Sequence, residues 1–522
     1  MRIGIDVGGT NTDAVLMNGD AVAAATKKHT TGDVTGGIRT ALAELLRQHP
    51  FAPEEVDGVM IGTTHFINAL VEADRLARTA AIRLCLPATA ALPPFVEWPQ
   101  RLRTAMHGTA HLAPGGHEFN GRQISPLDER ELRRLASELG EAGVESVAVT
   151  SVFSPVNADL EEQAAQILAA ELPDVPISLS HRIGRVGLLE RENATIINAS
   201  LRRLAAQVAS GLRDVLGEFS ISAPLFLSQN DGTLMDLDTV QEYPVSTFAS
   251  GPTNSMRGAA VLSGLKDCAV IDIGGTTSDV GILRAGFPRE ANTAVEVAGV
   301  RTNFRMPDVV SIGIGGGSRV HLAEGARVGP DSVGYRLPQE ALVFGGSVLT
   351  ATDIAVAAGR AEIGDRSLVR GLDPAMVRAA LSDIAARAAA LVDSMRTSAE
   401  EIPVVGVGGG SALLPEHLDG VGPVIRPENF AVANAVGAAI AQVSGEVDRI
   451  FAVEPGRRQN VLDEARQEAV DRAVAAGASP SSVEIVDQDD VPIPYLPGNA
   501  TRIRIKAVGD LQTAPRSAKE TR

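Results

Sequence analysis

One nine-residue phrase occurs twice in this chain. Residues 5–13 read Ile5-Asp6-Val7-Gly8-Gly9-Thr10-Asn11-Thr12-Asp13, and residues 271–279 read Ile271-Asp272-Ile273-Gly274-Gly275-Thr276-Thr277-Ser278-Asp279. Ile, Asp, Gly-Gly-Thr and the closing Asp keep identical offsets, Val7 and Ile273 are both apolar, and Thr12 and Ser278 both carry a hydroxyl. Each copy emerges from an apolar run, turns through two glycines and runs back, the pattern of a tight hairpin. Two copies so far apart imply a duplicated structural unit with one site between the copies.

The chemistry of the phrase narrows that site. Glycine lets backbone N–H groups approach a ligand closely, and threonine hydroxyls add donors. An Asp at the strand end can hold a divalent cation or orient a nucleophile. Two such hairpins facing each other would bracket the phosphate tail of a nucleotide. Gly8, Gly9, Asn11 and Thr12 in the first copy, and Gly274, Gly275 and Thr277 in the second, are the expected phosphate contacts. Asp6 and Asp272 are the expected positions for metal binding or water activation, with Thr10 and Thr276 beside them. A third glycine element, Gly408-Gly409-Gly410-Ser411, follows the expected strand Ile402–Val407 and would sit where an adenosine rests. Neither a Gly-x-x-x-x-Gly-Lys-Ser/Thr loop nor a dinucleotide fingerprint after an N-terminal strand is present. No Gly-x-Ser-x-Gly nucleophile motif occurs.

The order of elements agrees with a duplicated α/β unit. Three strands (2–7, 13–17 and 21–28, the last two joined by Asn18-Gly19) precede a helix over 35–49, a strand over 56–61, a helix after Gly62-Thr63-Thr64 and a strand over 79–86. A meander feeding alternating helices and strands is the ribonuclease-H-like pattern. Val59–Gly62 and Val405–Gly408 both end a strand in a small-residue loop, which extends the repeat. The long Ala- and Leu-rich run 188–216 reads as a helix bridging the halves. The small residues of 194–200 and 432–439 would let two helices cross closely, either as a hinge between lobes or as ordinary tight packing. The expected division is an N-terminal lobe over 1–190, a second lobe over 191–450 and a small α/β extension over 451–522. That extension comprises a helix over 460–477 and two strands flanking a turn region from 487–490 to 497–498, with the last dozen residues frayed.

Composition sets outer limits. A chain of 522 residues with 44% hydrophobic and only 3% aromatic residues has room for several domains with aliphatic cores. A net charge of −17 argues against nucleic acid or an anionic membrane as a partner. It does not oppose a phosphate held by backbone N–H groups. Cys85 and Cys268 lie in apolar runs and read as buried free thiols. No apolar run reaches membrane-spanning length and the N-terminus passes into glycine within eight residues, so a cytoplasmic protein is expected. His107, His111 and His117 share a loop with irregular spacing and read as solvated side chains rather than a metal site.

The paired hairpins and the adenosine-type loop resemble the actin, hexokinase and heat-shock chaperone ATPase superfamily. More narrowly, the chain resembles the hydantoinase/oxoprolinase family in its A-type subunit. The matching stretches include Asp6–Asp13, Gly62-Thr63-Thr64 with Asn68-Ala69-Leu70, Ser228-Gln229-Asn230-Asp231-Gly232, Ser250-Gly251-Pro252, Asp272–Val280, Ser311–Ser318, Val328-Gly329-Pro330 and Thr352-Asp353. The resemblance implies ATP and Mg2+ (or Mn2+) as cofactors and a small cyclic amide or imide as substrate. Ring opening would proceed through phosphorylation of the ring carbonyl. It also implies a B-type partner subunit or a shorter form acting alone, in an oligomeric assembly. The other reading is a small-molecule kinase or regulatory ATPase using the same clamp. Two departures stand out: Val71-Glu72-Ala73-Asp74-Arg75 replaces the family's early basic residue, and Gly408–Ser411 differs from its usual loop.

Overall fold

The computed structural model describes every residue except 10, 31–33, 292–294, 323–324, 441, 494–498 and 513–522. The strand Arg2–Val7 is buried at five of its six positions, as a central strand must be. It pairs antiparallel with Asn11–Asn18 and parallel with Gly58–Thr63. Ala21–His29 adds antiparallel on the outer side, and Leu225–Ser228 adds parallel on the inner side. The second unit repeats this. Cys268–Ile273 pairs antiparallel with Ser278–Arg284 and parallel with Val404–Val407, which is followed in parallel by Gly422–Ile425. Its third antiparallel strand is in two pieces, Phe287–Pro288 and Val309–Ile312, both lying on Ser278–Arg284. The chain therefore folds as two ribonuclease-H-like α/β lobes.

Insertions depart from the expected order. Thr79–Leu86 does not continue the first sheet. It is central in a separate all-parallel sheet ordered Thr109–Pro114, Thr79–Leu86, Ser146–Ser151, Ile177–Leu179. The reason lies in its two apolar faces. Ala80, Ile82 and Leu84 pack on helices Glu129–Glu141 and Asp159–Glu171, while Ala81 joins the cluster built around helix Leu188–Glu218. That 31-residue helix thus lies between the first sheet and this inserted sheet rather than bridging the two lobes.

Strands of the first sheet come from residues 2–63, 225–236 and 442–510, so it draws on all three expected segments of the chain. Gln442–Ala452 joins its inner edge, Ala500–Asp510 pairs along it, and Glu484–Pro492 completes nine strands. Helix Arg458–Ala475 covers this extension through Leu462, Ala465, Ala469 and Ala473. Asp487–Asp490 therefore belongs to a strand, not a turn; Pro497-Gly498 and residues 513–522 lie outside the described residues, while Leu511 and Gln512, expected to be frayed, pair with Ala478 and Gly477. Among the described residues no helix is long and apolar enough to cross a membrane.

One buried ion pair pins the extension to the core. Lys506 Nζ stands 2.9 Å from Asp231 Oδ2, with Thr233 hydrogen-bonded to the other oxygen. Against the effect of burial, Lys506 and Thr233 hold the Asp231 carboxyl well below the ordinary carboxylate range. A carboxyl with a depressed folded-state pKa stabilises above its unfolded pKa, and this contribution fades as pH falls below about 4. Lys506→Met leaves a buried, uncompensated carboxylate. The expected cost is about 3–5 kcal/mol, read by denaturant unfolding at pH 7 and shrinking at pH 3.

Candidate nucleotide site

The two hairpins have matched registers. Asp6 lies opposite Asp13 and Val7 opposite Thr12; Asp272 lies opposite Asp279 and Ile273 opposite Ser278. Each turn is closed by the same backbone bond, Gly8 N–H to Asn11 O at 3.0 Å and Gly274 N–H to Thr277 O at 2.9 Å. Each strand-end Asp is crowded by a glycine of the neighbouring parallel strand. A Cβ on Gly62 would stand 2.3 Å from Asp6 Oδ1, and one on Gly408 would stand 2.1 Å from Asp272 Oδ1. The two runs are offset by one residue, since Asp6 pairs with Gly62 and Asp272 with Val407, so the loops that follow adjoin the two carboxylates at neighbouring rather than identical positions.

Two short helices lock the units together. Ser250–Ser263 crosses Ala433–Ala438 so closely that a Cβ on Gly258 would meet Ala433 O at 1.8 Å, and one on Gly437 would meet Asn254 O at 1.8 Å. The small-residue stretch 194–200 is not the partner in this crossing. Asn254 Nδ2 donates to Asp6 Oδ1 at 3.1 Å, and its neighbour Ser255 donates to Asp272 Oδ2 at 2.5 Å. Asn434 Nδ2 donates to Asp6 Oδ2 at 3.0 Å and Asp13 Oδ2 at 2.8 Å. Consecutive residues of one helix therefore hold the strand-end carboxylates of both lobes.

A cavity of about 340 Å³ lies between the lobes, lined by residues of both hairpins and of the third glycine loop. Gly8, Asn11, Asp272, Gly274, Gly275, Gly408, Gly409 and Gly410 line it. A Cβ on Gly9, Gly275 or Gly409 would meet open space. Asp6 is buried just behind, joined through Asn434 to Asp13, which lines the cavity. Thr12 is placed elsewhere: its side chain is buried, bonded to Thr30 and packed on Gly37, because strand alternation turns it behind the hairpin. Thr276 is half-buried beside Gly315, and Thr277 is exposed at the turn. Ser411 is buried with its N–H bonded to Gly408 O, which places the loop's backbone rather than this hydroxyl at the cavity. Thr10 lies outside the described residues.

The second hairpin has a built support. Gly316 N–H donates to Gly274 O at 3.0 Å and Gly317 N–H to Gly275 O at 2.7 Å, while Thr352 Oγ1 fixes Gly316 O at 2.8 Å. The loop 311–318 thus occupies the turn's carbonyls. In the first hairpin, Thr30 Oγ1 occupies Gly8 O at 2.7 Å instead. Asn254, Ser255, Asn434 and Lys27 were not singled out by the sequence reading, and Thr352 was named there only within a matching stretch. The available signal for Asn434 was a lone amide in the short helix Ala433–Ala438, otherwise made of Ala, Val and Gly.

Burial pushes both the Asp6 and Asp272 carboxyls up to about 6. The amides of Asn254 and Asn434 oppose this at Asp6, and the Asp13 charge adds to it. At Asp272 the Ser255 bond opposes it, and the charges of Asp279 and Asp6 add to it. Two carboxylates held up by burial and by the charge of neighbouring carboxylates suit a divalent cation, which would relieve both. Oxygen donors fit Mg2+ or Mn2+. Among the described residues no group of three or more His, Cys, Asp or Glu is arranged for a metal. An ion here would therefore share its coordination between one or two carboxylates and ligand phosphates, the usual Mg2+ arrangement. His117 is buried rather than solvated, and His111 bonds Thr109. Cys85 and Cys268 are free and buried.

Matched hairpins on a duplicated ribonuclease-H-like unit around one cleft define a two-lobed α/β fold. The chain belongs to the hydantoinase/oxoprolinase family, in its A-type subunit: the family's N-terminal region matches residues 2–172 and its main region residues 191–390. The caprolactamase alpha subunit of Pseudomonas jessenii is 28% identical over 397 residues, covering 71% of this chain and 56% of that subunit. The acetophenone carboxylase gamma subunit of Aromatoleum aromaticum is 27% identical over 255 residues, covering 46% of this chain and 34% of that subunit. In these alignments the chain spans about half the length of the curated relatives, or less. The fold is similar to the crystal structure of ATP-dependent caprolactamase from Pseudomonas jessenii, with a TM-score of 0.77 at 19% identity over 98% of this chain and 88% of that one. It is also similar to nucleotide-free acetone carboxylase, with a TM-score of 0.63 at 18% identity over 98% of this chain and 88% of that one.

Proposed function

We propose that this chain binds ATP between its lobes and uses it to open a cyclic amide or imide, a hydantoin, lactam or 5-oxoproline-like ring. The observation that carries the reading is the pair of register-matched hairpins lining one cavity with the Gly408–Gly410 loop. Family membership and the caprolactamase relative supply the substrate class.

A resonance-stabilised amide resists water, so its oxygen must become a leaving group. The ring carbonyl oxygen attacks the γ-phosphorus, and the bond to ADP breaks. Water adds to the now electrophilic carbon, the carbon–nitrogen bond breaks as the nitrogen takes a proton, and the resulting acyl phosphate is cleaved by a second water that releases phosphate. The sum is ring, ATP and two waters giving the open-chain acid, ADP and phosphate. Phosphoryl transfer demands positioning and charge neutralisation more than a covalent nucleophile. The residues fit those demands. Hairpin N–H groups orient phosphate oxygens, and Gly408–Gly410 gives a flat backbone surface for the adenosine. Asp6 and Asp272, fixed by Asn254, Ser255 and Asn434, hold a divalent cation or orient water. A bound Mg2+ would neutralise charge on the phosphates. The relatives are subunits, and a B-type partner is part of the proposal.

Incubation with ATP, Mg2+ and a panel of lactams, hydantoins and 5-oxoproline, with and without a B-type subunit, tests this. Open-chain acid and phosphate should form in equal amounts. A stable phosphorylated product, or phosphate release indifferent to every ring, contradicts the proposal and favours a kinase or regulatory ATPase.

A further inference from the structure

We infer that Lys27 is the cation that receives the terminal phosphates of the nucleotide, and that it selects a triphosphate over a monophosphate. The inference rests on the proposed nucleotide site and assigns a residue to it. Lys27 lies on strand Ala21–His29 directly opposite Asp13. Its Nζ stands 2.7 Å from Asp13 Oδ2. Among the described residues lining the cavity it is the one basic side chain, set among Asp13 and Asp272. An ammonium has three donors, and the structure shows one of them given to Asp13. The side chain is 38% exposed, so its head is free to reach a ligand, whereas Asp13 is 3% exposed and fixed by Asn434.

The duplication makes the argument sharper. The position opposite the closing Asp is Lys27 in the first unit and Ser311 in the second. Ser311 donates its hydroxyl to Asp279 as Lys27 donates its ammonium to Asp13. In frames that otherwise correspond, the first places a cation at the cavity, whereas the second has a neutral hydroxyl at this position and neither Ser311 nor Asp279 lines the cavity. A polyphosphate entering a site that already holds Asp6, Asp13 and Asp272 meets repulsion. A fixed cation offsets it in proportion to the number of phosphates. Asp13 is then a positioning residue, holding Lys27 toward the cavity, and the first hairpin is the one that meets the more highly charged part of the ligand.

The test is calorimetric titration of the full chain with ATP, ADP and AMP in Mg2+, comparing the parent with Lys27→Met and Lys27→Arg. Methionine keeps the stem and removes the charge. The expected result is a roughly ten- to hundredfold weaker ATP affinity for Lys27→Met, the range of a hydrogen bond to a charged group. AMP affinity should change by less than about threefold, and Lys27→Arg should recover most of the ATP affinity. Because Lys27→Met orphans a buried carboxylate, the Lys27→Met/Asp13→Asn double variant is titrated alongside and should show the same ATP-selective loss. Undiminished ATP binding in both Met variants, or equal losses for ATP and AMP, overturns the role of Lys27 and leaves the nucleotide site standing. Absence of ATP binding by the parent overturns the site and this inference together.

Discussion

Asp272→Asn lowers ATP turnover by about 10²–10³-fold, the scale seen when one fixed electrostatic group is removed from a reaction centre, and leaves a fold as stable as the parent or more so. The stability half follows from the carboxyl's position. Burial raises its pKa from 3.8 to about 6. The folded chain therefore binds more protons than the unfolded chain between those values, and its stability falls as pH rises through that window. Ionisation there costs at most about 3 kcal/mol, with the Ser255 bond already counted in that shift. An amide carries no such cost. The Tm of the metal-free variant should match the parent near pH 4, draw level or ahead by pH 6.5, and hold that difference to pH 8. Thermal melts across this range check the sign, and a phosphate-release assay checks the turnover. A stable variant with parental turnover removes Asp272 from the chemistry; a variant that melts early at pH 8 contradicts the account of its burial.

Gly437→Ala and Gly258→Ala each lower stability by about 3 kcal/mol or more, toward the upper end for overpacking, and weaken ATP binding as well. Helix propensity alone predicts the opposite, since Ala gains up to about 1 kcal/mol over Gly within a helix. The crossing decides the sign. At both positions a Cβ would lie 1.8 Å from a backbone carbonyl oxygen of the opposing helix, where no side-chain rotation relieves the clash. The helices must separate, and Asn254 and Asn434 withdraw from Asp6 with them. Gly217→Ala on helix Leu188–Glu218 is the control, because a Cβ there meets nothing within 4 Å. Denaturant unfolding of the three variants should show a loss, a loss and a small gain. Three gains would mean that the helices do not cross as described.

These results bear on what a sequence alone discloses. The duplicated nonapeptide placed both hairpins, and the similar Val59–Gly62 and Val405–Gly408 runs placed the adjoining loops to within one residue of register, because both rest on local patterns that repeat. Long-range pairings were not legible. Thr79–Leu86 carries the apolar pattern of a buried strand, and nothing within it says which sheet it enters. Leu225–Ser228, far along the chain, takes the place beside Gly58–Thr63. The helix crossing was misassigned for a related reason: small residues permit close approach without naming the partner.

Lys27 was hidden by a finer effect. The ladder begins with Asn18 opposite Ala21 and Met17 opposite Val22, then shifts by one residue at an irregularity before Leu16. Counting from the Asn18-Gly19 turn would have set Thr26 opposite Asp13. The shift sets Lys27 there instead, and a one-residue slip moves a side chain to the other face of the sheet. Thr12 illustrates the converse. Its place in the phrase invites a phosphate contact, but strand alternation carries its hydroxyl to Thr30.

A crystal structure of the chain with a non-hydrolysable ATP analogue and Mg2+ tests the central claim most directly. The account predicts phosphates between Gly8–Asn11 and Gly274–Thr277, the ion beside Asp6 or Asp272, and the base against Gly408–Gly410. Nucleotide bound instead in the polar cavity of about 420 Å³ formed by Asn230, Asp231, Tyr243, Arg305 and Asp448 would contradict it.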